Sequence, residues 1–310
     1  MLKDIGVVGL GLMGSSIACC LLCAGHRVIG IEIKEENRDL AHDRIKDLLQ
    51  DFALKGKLTE PLDQILERFE IVDAISRLAT VALVLESVDE ALEVKQKLIA
   101  ELEDCVAHTT VIGSNTSAIP ISAIQQHMLH PERLIGIHWG EPAHISRFME
   151  VILGEKSEPQ YAQYILSMAS QWGKDPVYVK KDIEGFIANR LMYAMFREAF
   201  FLLENGYASM DDIDRACQND MGFWMGLLGP FRYMDLTGVP AYAKVAEELF
   251  PKLNNQTILP SVLREGKALS EHHFYDYSHH QKSHWEKMFL EYSSEIMELT
   301  AKYKERTQKI

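Results

Sequence analysis

The chain has 310 residues, 47% of them hydrophobic and 25% charged, with 32 basic against 45 acidic side chains and a net charge of −13. That length predicts about two domains with substantial cores. The acidic balance argues against nucleic-acid binding, which needs a basic field, and against attachment to anionic membranes. No stretch has the length of a transmembrane helix. The first residues lead at once into an apolar run without a charged leader or cleavage pattern, so a cytosolic (cytoplasmic) protein is expected.

Residues 4 to 9 (DIGVVG) predict a buried strand. GLGLMG follows, and the apolar run to Gly25 predicts a helix stopped by that glycine. HRVIGIEI is a second strand, with Glu32 at its end. Gly9, Gly11 and Gly14 therefore stand in G-x-G-x-x-G spacing inside a complete strand–loop–helix–strand unit. Gly9 serves the tight turn, Gly11 the close approach of a pyrophosphate, and Gly14 the helix–strand packing. An acid 18 residues after the last glycine hydrogen-bonds a ribose diol and repels a 2′-phosphate, so NAD is expected over NADP. Gly9, Gly11, Leu12, Met13, Gly14 and Glu32 are the cofactor-binding candidates of this unit.

Residues 35 to 68 predict a charged helical hairpin broken at Lys55–Lys57, with Thr59 capping its second helix. Its lysines read as a solvated tip, or as contacts for a substrate phosphate. Strands follow around residues 71–72 and 81–88, then a helix from Glu90 to Glu103. The run TTVIG predicts another strand, entering the polar turn Ser114-Asn115-Thr116-Ser117. In open α/β sheets ligands sit beyond the carboxyl ends of the strands. The glycine loop, Glu32, Glu86 to Glu90, Ser114 to Ser117 and His138 all fall at such ends.

Residues 133 to 152 (RLIGIHWGEPAHISRFMEVI) predict two short strands joined by a polar loop. Antiparallel pairing would set His138 beside Glu150, an arrangement suited to general-base chemistry. A helix from 158 to 172 and the strand PVYVK close the first domain, 1–184. Residues 185–310 read as helical. FIANRLMYAMFREAFFLLENG predicts a long, largely buried helix, ASMDDIDRAC a capped one, and the segment around Gly238 two more. A last helix is expected over 282–306. Cys19, Cys20 and Cys23 read as small apolar residues of a helix, and His272, His273, His279, His280 and His284 as surface residues; no metal site is expected.

The Gly-rich unit, the SNTS turn, the His138…Glu150 pair and GFIANR, in this order, resemble the L-3-hydroxyacyl-CoA dehydrogenase family, together with its 3-hydroxybutyryl-CoA and L-gulonate 3-dehydrogenase relatives. The resemblance covers nearly the whole chain. It implies a Rossmann-type doubly wound sheet domain followed by an all-α C-terminal domain that forms a homodimer. It also implies that His138 is the general acid/base, that Glu150 orients it, and that Ser117 and Asn189 contact the reacting oxygen. Glu90 and Lys95, with Asn115 in the turn, are implied to lie by the cofactor. The family's H-F-F-N-P or H-P-x-N-P strand end reads here His138-Trp139-Gly140-Glu141-Pro142, so Glu141 replaces an asparagine and becomes a substrate-contact candidate. A family Gly-Phe-Tyr element reads His273-Phe274-Tyr275, and the long tail past it resembles the free-hydroxy-acid branch.

The expected reaction is NAD-dependent oxidation of an L-3-hydroxyacyl-CoA, in fatty acid metabolism. The alternative, motivated by Glu141 and the tail, is a dehydrogenase of a free, non-CoA 3-hydroxy acid or related alcohol. A catalytically silent NAD-binding structural protein is a minor third. The expected partners are a small-molecule substrate and a second copy of the chain, with no nucleic acid and no membrane.

Overall fold

The computed structural model describes residues 3–267, 274, 275, 277 and 279–307. The chain divides into two compact units, Met1–Asn189 and Arg190–Ile310.

The first unit is built on a sheet of eight strands among the described residues: β1 Asp4–Val8, β2 Arg27–Ile31, β3 Phe69–Val72, β4 Leu83–Glu86, β5 Val111–Ser114, β6 Leu134–Trp139, β7 Phe148–Leu153 and β8 Asp175–Val179. Their order is β3-β2-β1-β4-β5-β6-β7-β8. Strands β3 through β6 run parallel, and β7 turns back antiparallel to β6 with β8 parallel to it. The strands are short apolar runs because both faces are covered, so the sequence does not alternate with polar residues.

Helices α1 (Leu12–Cys23), α2 (Glu35–Leu54), α3 (Leu62–Leu66), α4 (Leu92–Cys105), α5 (Ile121–Ile124) and α6 (Pro159–Ala169) do that covering. One core joins Ile17 and Leu21 of α1, Ile45 and Leu49 of α2 and Ile165 of α6 to Ile5, Val7, Ile135 and Ile137 of the sheet. The other joins Ile99 and Leu102 of α4 and Ile121 of α5 to Val8, Val84, Ile112 and Leu134. Burying each such aliphatic side chain contributes about 1.5–3 kcal/mol before entropy is counted. Cys19, Cys20 and Cys23 are free thiols, the first two inside the α1 core. Burial drives the Cys20 thiol up to about 11, so it packs as an apolar group.

Two local expectations change. Pro61, not Thr59, precedes α3, and no side chain caps that helix. The helix expected at Glu90 starts at Leu92, because the Glu90 carboxylate turns away to accept hydrogen bonds from the SNTS turn.

The second unit is helical. Helix α7 (Ala188–Glu204) leads into α8 (Met210–Ala216), α9 (Gly222–Met225), α10 (Gly229–Thr237), α11 (Val239–Leu249), α12 (Ser261–Lys267) and α13 (His279–Thr307). Ser209 caps α8 by accepting from the Asp212 N–H, as its sequence predicts. The expectation of a largely buried α7 is overturned: no residue of α7 is buried in the single chain. His272 and His273 lie outside the described residues, as do the side chains of His279 and His280; His284 is exposed on α13. Among the described residues no helix is long and apolar enough to cross a membrane, and no three His, Cys, Asp or Glu side chains converge on a metal site.

Candidate active site

The glycine loop is shaped as a cradle. Gly9 has φ +87°, a conformation that costs an L side chain, and a Cβ there would stand 2.7 Å from the Ser87 carbonyl. At Gly14 a Cβ would stand 1.8 Å from the Gly9 carbonyl oxygen, so only glycine lets α1 pack this closely on β1. A Cβ on Gly11 would meet nothing within 4 Å. Gly11 is also the N-cap of α1, and no side chain there takes up the helix's free N–H groups. Open space and unsatisfied donors at a helix N-terminus fit a pyrophosphate. Leu12 is exposed and Met13 half-buried on the first turn. Glu32 follows β2, its carboxylate accepting from the Lys34 N–H at 3.1 Å.

A buried polar network ties down the next two strand ends. Glu86 and Lys95 form an ion pair at 2.7 Å, both almost wholly excluded from solvent. Glu86 also accepts from the Ser114 hydroxyl at 2.5 Å and from the Val88 N–H at 2.8 Å. The Glu90 carboxylate accepts from the Thr116 hydroxyl at 2.6 Å and from the N–H groups of Ser117 and Ala118 at 2.7 and 3.1 Å. Burial pushes the Glu90 carboxyl upward, but those bonds and the Lys95 charge outweigh it and hold the carboxyl below its usual range. Lys95, named as a cofactor contact, lies beneath the turn, donating to Glu86, Glu90 and the Val88 carbonyl. Asn115 joins neighbouring strand ends: its Oδ1 accepts from the Trp139 N–H at 2.9 Å and its Nδ2 donates to Ser87 at 3.2 Å.

On this frame His138 and Glu150 are direct cross-strand partners of β6 and β7. His138 Nδ1 is 3.0 Å from Glu150 Oε2. The second oxygen of Glu150 accepts from the N–H groups of Ile187 and Ala188, at 3.0 and 3.1 Å, where α7 begins. Glu150 is thus fully buried yet held by three donors. The imidazole of His138 lies edge-on to Phe148 and tilted against Phe186, with ring centroids 5.6 and 6.0 Å away. Nδ1 turned to the carboxylate leaves Nε2 as the ring nitrogen open to a proton. Asn189 donates to the Ser117 carbonyl at 2.6 Å, and Ser117 itself is exposed. His138, Glu150, Ser117 and Asn189 are thereby brought to one rim of the sheet. Glu141 is exposed on the loop that follows β6.

Sequence reasoning missed the support around this pair. Phe186 takes φ +49°, unusual for a side chain of its size, and that turn precedes the two N–H groups that hold Glu150. Its only sequence signal was its place in GFIANR. A cavity of about 720 Å³ among the helices of the second unit is lined by none of the nominated site residues.

Comparison with known proteins shows the family of the chain. The model of the 3-hydroxyacyl-CoA dehydrogenase NAD binding domain matches residues 4–183, and that of the 3-hydroxyacyl-CoA dehydrogenase C-terminal domain matches residues 185–277. The chain is 32% identical over 271 residues to 5-formyl-3-hydroxy-2-methylpyridine 4-carboxylate 5-dehydrogenase of Mesorhizobium japonicum, covering 86% of this chain and 87% of that one. It is 30% identical over 263 residues to a probable 3-hydroxybutyryl-CoA dehydrogenase of Bacillus subtilis, covering 84% and 90%. A crystal structure of the 5-formyl-3-hydroxy-2-methylpyridine 4-carboxylic acid 5-dehydrogenase, described as an NAD+-dependent dismutase, superposes with a TM-score of 0.89 at 27% identity, covering 97% of this chain and 99% of that one. A (S)-3-hydroxybutyryl-CoA dehydrogenase structure from Ralstonia eutropha gives 0.72 at 26% identity, covering 86% and 94%.

Proposed function

The chain belongs to the 3-hydroxyacyl-CoA dehydrogenase family as an NAD-dependent oxidoreductase, and we propose that it oxidises the CH–OH carbon of a small substrate carrying no CoA, a free 3-hydroxy acid or a related secondary alcohol. The observation that carries the reaction type is the His138–Glu150 pair at the rim that bears the glycine cradle.

When bound, NAD supplies the hydride acceptor. Gly9, Gly11 and Gly14, the first turn of α1 at Leu12 and Met13, and Glu32 would hold it. His138 Nε2 takes the hydroxyl proton as the C–H hydride leaves, so an alcohol becomes a ketone and one proton is passed to solvent. Glu150 fixes the tautomer with its proton on Nδ1 and stabilises the imidazolium that forms, itself remaining a carboxylate. Ser117 and Asn189 hydrogen-bond the reacting oxygen. Glu90, Lys95 and Asn115 keep the strand-end turn that presents Ser117 in place.

The non-CoA reading is supported by Glu141, a carboxylate close after the base in sequence, and by the fuller likeness to a dehydrogenase whose name carries no CoA. The competing reading, an L-3-hydroxyacyl-CoA substrate, is supported by the Bacillus subtilis and Ralstonia eutropha relatives. Lys55, on the tip considered for a substrate phosphate, is already paired with Asp51 at 2.7 Å. NADH oxidation measured with acetoacetyl-CoA against a panel of free 3-keto acids and neutral 3-keto amides separates the two. Faster turnover of acetoacetyl-CoA than of every free compound would reverse the choice, and no turnover with any of them would leave an NAD-binding structural protein.

The helical unit also exposes Leu191, Tyr193, Phe223 and Phe231 by more than 60% each. Apolar exposure of this extent marks a protein–protein contact, and a homodimer through residues 185–310 accounts for it. Gel filtration at the monomer mass would count against the dimer.

A further inference from the structure

The chain enters α7 through two consecutive residues with positive φ, +76° at Gly185 and +49° at Phe186. Glycine accepts that conformation freely, whereas phenylalanine keeps it only where its surroundings hold it there. The Gly185 N–H donates to the Ala118 carbonyl at 3.0 Å, and the Phe186 N–H to the Ile183 carbonyl at 2.9 Å. The next two N–H groups, of Ile187 and Ala188, converge on one oxygen of Glu150. Asn189 then donates to the Ser117 carbonyl. The Phe186 ring is wholly buried, with its centroid 6.0 Å from that of the His138 imidazole and its plane tilted by 50°. Phe148 lies two residues before Glu150 on β7, so both side chains stand on one face of that strand. Its ring meets the same imidazole at 5.6 Å and 84°. One short segment, residues 185–189, therefore reaches the ring of the histidine, the carboxylate beside it and the turn that carries Ser117.

We propose that Phe186 is a positioning residue of the dehydrogenase reaction: its ring and that of Phe148 clamp the His138 imidazole, so that Nδ1 stays on Glu150 and Nε2 stays free for the substrate proton. The inference rests on the reading of His138 as the base, and adds what aims the ring. A single hydrogen bond to Glu150 leaves the imidazole able to swing about the line from Nδ1 to Oε2. Two aromatic contacts at different tilts remove that freedom, and rings within about 7 Å in edge-on or tilted arrangements attract one another. The left-handed backbone at Phe186 lets one residue lay its ring on His138 while the two amides after it hold Glu150. Phe186 acts on the substrate only through the imidazole.

The test uses the full chain with two variants: Phe186→Leu, which keeps an apolar side chain on the same backbone, and Phe186→Gly, which accommodates the positive φ without a ring. Turnover is measured with NADH and whichever of acetoacetyl-CoA, the free 3-keto acids and the 3-keto amides the parent reduces fastest. Both variants lower kcat about tenfold, a part of what misplacing a catalytic group costs, with KM and the NADH dissociation constant near the parent's. Ring nitrogen NMR shifts of His138, assigned by their absence from His138→Gln, show one tautomer in alkaline buffer for the parent, with the proton on Nδ1, and a mixture in both variants. Adding Phe186→Leu to Glu150→Gln lowers kcat little further, because both act through one imidazole. Ile165→Ala, a cavity in the core under α6, lowers the melting temperature and leaves kcat and the tautomer as they were. A kcat within twofold of the parent's in either Phe186 variant would overturn the proposal, as would a lower kcat with the single tautomer kept, losses that multiply in the double variant, or an equal kcat loss in Ile165→Ala. If the parent reduces none of these compounds, or His138→Gln keeps the parent's turnover, the reading of His138 as the base fails by itself. The tautomer measurement needs no substrate and then decides the clamp: a mixture in the variants supports it, and one tautomer throughout refutes it.

Discussion

Glu150 faces His138 across the antiparallel β6–β7 pair, at 3.0 Å, while its second oxygen is held by the first N–H groups around the start of α7. A carboxylate that is buried and triply hydrogen-bonded has one orientation to offer, and it offers it to the imidazole. Replacing Glu150 by Gln keeps the volume but removes the charge that stabilises the imidazolium. The expected loss in kcat is about 10²–10⁴-fold, the range of a general acid–base contribution, with NADH affinity unchanged in a fluorescence titration.

The glycine loop separates two effects that are usually confounded. Gly14→Ala puts a methyl group 1.8 Å from a backbone oxygen, so the fold itself must give, at about 1–3 kcal/mol. Gly11→Ala meets no protein atom within 4 Å and should leave the melting temperature near the parent's. It should still weaken NADH binding by about tenfold or more, because its methyl group occupies space meant for the pyrophosphate. Equal melting-temperature losses for the two variants would contradict this reading.

Lys95 and Glu86 test the network beneath the SNTS turn. Lys95→Met strands a fully buried carboxylate and should cost about 3–5 kcal/mol in urea unfolding. The double variant Lys95→Met with Glu86→Gln should recover part of that loss, because no buried charge is left unpaired.

His144 sets a pH dependence. Burial pushes its imidazole down from 6.5 to about 4; Asp51 opposes the shift, and Lys174 and Lys55 add to it. Between those two values the unfolded chain binds a proton that the folded chain refuses, so stability rises with pH through the window. The contribution is complete above pH 6.5 and lost as pH falls towards 4. Unfolding by urea at pH 5 and pH 7.5 should therefore show a larger difference for the parent than for His144→Asn.

The strands themselves, the glycine loop and the facing of His138 and Glu150 were legible because each rests on local pattern: apolar runs, glycine spacing, and two strands joined by a short loop; the order of the strands in the sheet was not read from the sequence. The partners of Glu150 at Ile187 and Ala188 were not, because a backbone N–H has no sequence signature and these come from 37 and 38 residues away. Lys95 read as a cofactor contact, while its burial beneath the turn depends on a carboxylate from the preceding strand end. The hydrogen bonds between Ser16 and His144 join residues 128 apart, a pairing that only the folded sheet creates. The exposed α7 shows the converse: an apolar pattern records that a face is to be covered, but not by what.

His138 as the base of an NAD-dependent dehydrogenase is the claim on which the rest depends. Its most direct test is steady-state turnover of His138→Gln, alongside its NADH dissociation constant, with a substrate that the parent enzyme oxidises or reduces. A kcat lower by about 10²–10⁴-fold is expected, with the dissociation constant unchanged. Turnover within a few-fold of the parent would contradict it.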